Sequence, residues 1–180
     1  MLEWIQGIDW LILRGIQNTI RCGFLDFLMP GITLLGNGGA IWIFSACGLM
    51  LSKKYRKYGF AMIGALAFGA MLCSLWLKPW IARPQPCWLE GISLLIENPA
   101  DYSFPSGHTM SSVIGAFVLT AANRKFGLFA VPAAVMIAFS RLYLYVHFPS
   151  DVLAAALLGA GIGMAAICMA SKAGTSEKIL

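Results

Sequence analysis

Charge is what this chain has least of. Asp, Glu, Lys and Arg make up 12% of its 180 residues, against about 25% in soluble globular domains. That deficit excludes an ordinary water-facing surface. Hydrophobic residues fill the gap at 59%, with a mean hydropathy of +0.76. Histidine is scarcer still, with His108 and His147 the only two. The five cysteines form no CxxC pair, so neither a zinc ribbon nor a thioredoxin-like site is expected. No Ser/Gly/Pro-rich linker, internal repeat or low-complexity run divides the chain, so one domain is expected overall. The N-terminus has no basic n-region and no small-residue cleavage site, so no cleaved signal peptide is expected and the first spanning helix should direct insertion. A formal net charge of +5 does not imply nucleic acid, because the basic residues lie in short clusters between apolar runs and form no stripe. Membrane lipids with anionic surfaces are the expected partner.

What the sequence has is apolar length. Residues 1–22 set Leu2, Ile5, Ile8, Ile12 and Ile16 against Glu3, Gln6, Asp9, Arg14, Gln17 and Arg21, the spacing of a one-sided helix. With Trp4 and Trp10, this predicts an N-terminal interfacial helix, too polar to span, ahead of a membrane domain over residues 23–180. Five apolar stretches come after it, at 30–51, 58–77, 106–122, 126–146 and 149–170. A spanning helix needs about 20 apolar residues, within a range of about 17–25, and each stretch meets it. The expected fold class is all-α, a polytopic transmembrane helix bundle of five to six membrane helices including the amphipathic one. Gly64, Gly69, Gly115, Gly159 and Gly163 are expected where helices approach closely.

Basic residues in short loops orient such a bundle. Lys53, Lys54, Arg56 and Lys57, then Arg124 and Lys125, then Lys172 and Lys178 all fall on one side if there are five spans, and that side is read as cytoplasmic. The N-terminal helix, the 78–105 connection and the 147–150 turn are thereby placed outside. Three polar segments meet at that outer face: Lys78 to Pro86, Pro105 to His108, and Ser140 to Asp151.

Cleaving a phosphoester takes cations, a nucleophile, a group orienting the nucleophile, and an acid for the leaving oxygen. His147 and Asp151 are four residues apart, with Pro149 opening the last helix between them. A carboxylate at that spacing takes the hydrogen of one ring nitrogen and leaves the other free to attack phosphorus. His108 is available to protonate the departing alkoxide and then to activate water. Ser106 and Gly107 begin a helix whose free N–H groups suit an anion. Arg141 offers a fork of donors and Lys78 a point charge. Two histidines and one carboxylate also suit a metal, but cations as close as Arg141 and Lys78 would then be unfavourable.

These residues resemble the type 2 phosphatidic acid phosphatase superfamily, whose signatures are Lys-x6-Arg-Pro, Pro-Ser-Gly-His and Ser-Arg-x5-His-x3-Asp. The second is complete as Pro105, Ser106, Gly107 and His108. The third is complete as Ser140, Arg141, His147 and Asp151. The resemblance implies a membrane hydrolase needing neither metal nor other cofactor. It implies His147 as nucleophile, Asp151 as its orienting acid, His108 as acid/base, and Lys78, Ser106, Gly107 and Arg141 as phosphate ligands. The first signature departs from the pattern, since Gln85 stands where the family arginine falls. Gln85 donates a hydrogen bond without charge, and Arg83, two residues earlier, is a candidate to replace it. The expected substrate is an undecaprenyl pyrophosphate-type carrier lipid, with phosphatidylglycerol phosphate and phosphatidic acid as alternatives. A non-catalytic lipid-phosphate binder or transporter is the alternative of another class, motivated by Gln85.

Overall fold

Backbone polar groups in lipid must be satisfied within the chain, and the computed structural model, described over residues 2–176, is helical throughout its regular elements. Helix α1 (Leu2–Gly15) runs into a wide π turn, Ile16–Ile20. Then come α2 (Gly23–Leu35), α3 (Ala40–Leu51) and α4 (Arg56–Met71), the last continuing through a second π turn, Leu72–Leu77, into α5 (Lys78–Ile81). Short α6 (Pro86–Glu90) precedes α7 (Gly107–Ala122), α8 (Arg124–Tyr143) and α9 (Pro149–Ser176). The run Arg56–Glu90, α8, and α9 through Lys172 are each long and apolar enough to cross a membrane, and α2 with α3 makes a further, bent candidate. This is a multi-pass membrane protein.

Helix α7 is the hub, packed on α4, α8 and α9. Around it Trp42, Met62, Met110, Ile114, Val118 and Ile137 are buried in one cluster, while Phe27, Phe44, Leu51, Phe129 and Leu157 point outward, as lipid-facing side chains should. Trp42 donates its indole hydrogen to Ser112 Oγ (3.0 Å) and lies flat on Gly115, where a Cβ would come within 2.4 Å of the ring. Gly69, Gly159 and Gly163 also sit at contacts between helices, whereas Gly64 faces open space.

Four details differ from the sequence reading. The stretch 30–51 is not one helix: Gly38 (φ 58°) and Gly39 (φ 71°) take left-handed conformations, and α2 and α3 meet at 45°. Helix α7 has only 16 residues, short of a full span, and its first turn lines a large cavity together with part of the preceding connection. Helix α8 stops at Tyr143, since Tyr145 adopts φ 62° and turns the chain inward. The N-terminal helix does more than float on a surface, because Asp9 and Leu13 are fully packed against the protein while Trp4 and Leu11 face out. Lys178 lies outside the described residues.

Candidate active site

Three chain segments deliver the polar residues to one place. The first is the end of the α4 run. A π turn holds an extra residue per turn and re-aims the side chains beyond it, and Lys78 comes directly after one, only 6% exposed. Its ammonium pairs with the Asp101 carboxylate. The second is the N-terminus of α7. Ser106 caps it, its Oγ accepting from Thr109 N (3.4 Å) and Thr109 Oγ1 (3.0 Å), and its own N–H reaches the Asp151 carbonyl (3.4 Å). The amides of Gly107 and His108 come next, at helical positions that have no preceding turn to accept them. The third is the turn between α8 and α9, which carries His147.

That turn is held from three sides. The left-handed Tyr145 costs on the order of 1 kcal/mol or more, and its hydroxyl donates to Glu90 Oε2 (2.6 Å). Glu90 in turn pairs with Arg14 at 2.8 Å. Phe148 is fully buried, with Trp10 edge-on at 5.0 Å between ring centres and the Arg83 guanidinium 4.0 Å from its own ring centre. His147 therefore points inward, 2% exposed.

The His147–Asp151 pair is close without a direct hydrogen bond, since Nδ1 and Oδ2 are 3.9 Å apart. Ser103, fully buried, bridges them: its Oγ donates to Asp151 Oδ2 (2.5 Å) and stands 3.4 Å from His147 Nδ1. Asp151 also accepts from Phe148 N (2.8 Å) and Arg83 Nη1 (2.5 Å), so it is held as a carboxylate by three donors. A serine that gives its one hydrogen to the carboxylate has only lone pairs for the imidazole. Nδ1 is then the protonated ring nitrogen and Nε2 the free one. Burial holds the imidazole below the ordinary histidine value, with the Arg141 and Lys78 charges acting in the same direction and Asp151 opposing them.

Arg141 is 5% exposed and donates Nη1 to Thr33 Oγ1 (2.6 Å). Its Nε is, among the described residues, the one buried side-chain nitrogen or oxygen without a partner. Buried polar atoms are nearly always bonded, so this guanidinium nitrogen leaves a donor open to a group entering the site. His108 lines the same cavity, its Nε2 2.8 Å from Asn37 Oδ1 in the break between α2 and α3. Gly36 makes room for the ring, because a Cβ there would be 2.7 Å from His108 Cδ2.

A cavity of about 1190 Å³ joins these groups. Lys78, Asp101, Gly107, His108, Arg141 and His147 line it, together with Ile43, Ile63, Leu66, Ala67 and Ile114 of α3, α4 and α7. Arg83 and Gln85, read from the sequence as phosphate ligands, do not line it. Arg83 is turned away to Asp151, Asp9, Gln6 and Ser150. Gln85, fully buried, donates Nε2 to the Asp101 carbonyl (2.7 Å) and carboxylate (3.3 Å). A planar fork surrounded by carboxylates is satisfied where it stands, which is why Arg83 leaves the cavity. Ser106 is spent as a helix cap and only its neighbour Gly107 reaches the cavity wall. Sequence reasoning missed Ser103, Asn37, Thr33, Asp9 and Asp101. Only Asn37, inside Gly-Asn-Gly-Gly, carried a local signal, that of a break in an apolar run.

A buried imidazole held below its ordinary value, beside buried cations in a membrane bundle, is an arrangement that suits a membrane-embedded phosphoric ester hydrolase. The chain belongs to the PAP2 superfamily, which it matches over residues 54–174. It is 32% identical over 170 residues to phosphatidylglycerophosphatase B of Bacillus subtilis, covering 86% of this chain and 79% of that one. It is 31% identical over 129 residues to the undecaprenyl-diphosphatase of Sulfolobus acidocaldarius, covering 71% of this chain and 62% of the relative. Among solved structures, the transmembrane PAP2-type phosphatidylglycerolphosphate phosphatase of Bacillus subtilis superposes with a TM-score of 0.74 at 26% identity, covering 98% of this chain and 88% of that one.

Proposed function

We propose that the protein is a lipid phosphatase acting through a phosphohistidine at His147, on an undecaprenyl pyrophosphate-type carrier lipid at the extracytoplasmic face. The observation that carries this reading is one cavity lined both by Lys78, Arg141 and the two histidines and by a run of apolar side chains. A phosphate at Lys78 and the orphaned Arg141 Nε lies within reach of His147, while the hydrocarbon part runs along Ile43, Ile63 and Leu66. The volume exceeds the roughly 300–1,000 Å³ of a usual small-ligand site, as a chain-bearing substrate requires.

In the first step His147 Nε2 attacks phosphorus, the bond to the leaving oxygen breaks in line, and His108 gives that oxygen a proton. A water then attacks the phosphohistidine, His108 takes the water's proton, and the P–N bond breaks to release inorganic phosphate. Lys78, Arg141 and the Gly107 amide neutralise charge on the transferring group, which supplies the largest share of the acceleration. The face assignment is supported by the placement of charge. Lys53, Lys54, Arg56, Lys57, Arg124, Lys125 and Lys172 sit at the helix ends opposite those carrying Lys78, His108 and His147. Names among the relatives support both the carrier-lipid substrate and its alternative, phosphatidylglycerol phosphate.

The test is phosphate release in detergent and chelator from undecaprenyl pyrophosphate, phosphatidylglycerol phosphate, phosphatidic acid and an aryl phosphate, with His147→Ala beside the wild type. Turnover of the carrier lipid should be fastest, and the variant should bind lipid without cleaving it. Cleavage confined to the aryl phosphate would refute the lipid assignment, and an active His147→Ala would refute the mechanism.

A further inference from the structure

The N-terminal helix lies outside the residues that match the superfamily, 54–174, yet one of its carboxylates pairs with the guanidinium that holds Asp151. Asp9 is 2% exposed. Its Oδ2 accepts from Arg83 Nη2 (2.7 Å) and Ser150 Oγ (2.6 Å), and its Oδ1 accepts from Ser150 N (2.9 Å). The same guanidinium holds Asp151 through Nη1. Arg83 is thus a bridge between two carboxylates, one on α1 and the other on α9.

Geometry makes this bridge consequential. Arg83 lies 17% exposed between the two acids, which are 2% and 0% exposed. A guanidinium is planar, so fixing one edge on Asp9 and Gln6 fixes the direction of the other. Phe148 lies beneath the plane and prevents rotation out of it. With Arg83 on Oδ1, the Asp151 carboxylate is left with Oδ2 for Ser103 and for the His147 side. Asp9 also accepts the Ser150 amide in the first turn of α9, where a negative charge is favoured. An asparagine oxygen at position 9 can still accept that amide, so this contact does not depend on the charge that holds Arg83. A surface helix that only anchored the protein would have no reason to bury an acid there. Burying one costs free energy unless it is fully paired.

We propose that Asp9 is a positioning residue of the catalytic centre, holding Arg83 so that Asp151 and Ser103 keep His147 in the attacking tautomer. This rests on the reading of His147 as nucleophile, and the experiment separates the two.

In the full-length protein in detergent, kcat and KM for phosphate release from the lipid turned over fastest are measured for Asp9→Asn, Arg83→Gln and the double variant. Thermal unfolding is followed in parallel. Displaced catalytic groups cost up to about a hundredfold in rate. Asp9→Asn should lower kcat about tenfold with KM within about twofold, and Arg83→Gln should lower it about a hundredfold. Because Asp9 acts through Arg83, the double variant should be no slower than Arg83→Gln alone. The two histidines also give a direct signature in ¹⁵N-imidazole spectra, assigned with His108→Asn. His147 should be a single Nδ1–H tautomer in the wild type and a mixture in Asp9→Asn. Multiplied losses in the double variant, a kcat within twofold of wild type in Asp9→Asn, or an unchanged His147 spectrum would each overturn the proposal. If Asp9→Asn does not fold, additivity is read instead from Gln6→Ala with Arg83→Gln, and the same non-additivity is required. An active His147→Ala would instead remove the reading beneath it, whatever Asp9 does.

Discussion

Ser103 stands between Asp151 and His147, 2.5 Å from the carboxylate and 3.4 Å from the ring, in a pair whose own separation is 3.9 Å. The acid therefore orients the imidazole at one remove. Ser103→Ala removes the bridge but leaves Asp151 its bonds to Arg83 and Phe148. We expect kcat to fall about 10- to 100-fold with KM little changed, as for a group lost only from transition-state alignment. A steady-state comparison decides it, and an unaltered kcat would mean that His147 and Asp151 close directly on substrate binding.

Asn37 holds His108 through a 2.8 Å hydrogen bond, and Gly36 leaves space for the ring. The need for a general acid grows with the basicity of the leaving oxygen. Asn37→Ala should therefore slow a lipid alkoxide or phosphate leaving group by about tenfold, while an aryl phosphate is hardly affected. Gly36→Ala should do the same by displacing the ring, since its Cβ would lie 2.7 Å from Cδ2. The ratio of rates on the two substrates is the measurement. Equal losses on both would place His108 in some role other than protonation.

The His147 imidazole is held below the ordinary histidine value by burial first and by the Arg141 and Lys78 cations next. On the proposed mechanism the attacking form is the neutral one, so activity should be lost as pH falls through the folded-state value. The acid limb of kcat/KM should accordingly lie below about pH 6.5, the ordinary histidine value. Asp151 opposes the downward shift. Asp151→Asn should then move the residual acid limb lower still, on a much reduced rate. A profile of kcat/KM against pH in detergent reports this, and a limb above the ordinary value would contradict it.

Lys78 is paired with Asp101, and Gln85 donates to that same residue. An arginine at 85 would bring a competing cation to Asp101 and release Lys78 to the phosphate. Gln85→Arg should lower KM several-fold. Because position 85 is fully buried, the larger side chain should also lower thermal stability, by about 1–3 kcal/mol. Asp101→Asn should lower KM without that loss. An unchanged KM in both would show that the lysine already meets the phosphate unhindered.

Much of the molecule could be read from the chain. Scarce charge and five apolar stretches identify a helical membrane protein, because only a few architectures satisfy a backbone in lipid. Lys78, Gly107, His108, Arg141 and His147 do line one cavity, and their types and spacing already suggested a phosphate chemistry. What could not be read is anything decided by direction. Arg83 and Gln85 had the right donors, but the fold turns both away from the cavity, and no periodicity reports which way a loop side chain points. Ser103 was overlooked because a serine in a loop has no signature until two partners are known. The acid on α1 resembled one more polar residue on a surface helix. Its burial depends on Arg83 and Ser150, 74 and 141 positions further along.

The joint between α2 and α3 touches two opposite sides of the reaction. Thr33, just before it, steadies Arg141, and Asn37, within it, steadies His108. On the proposed mechanism, grip on the anion and delivery of the proton hang from the same short hinge. Repacking this corner of the bundle alters both together, so affinity cannot be adjusted there without also adjusting the timing of bond cleavage.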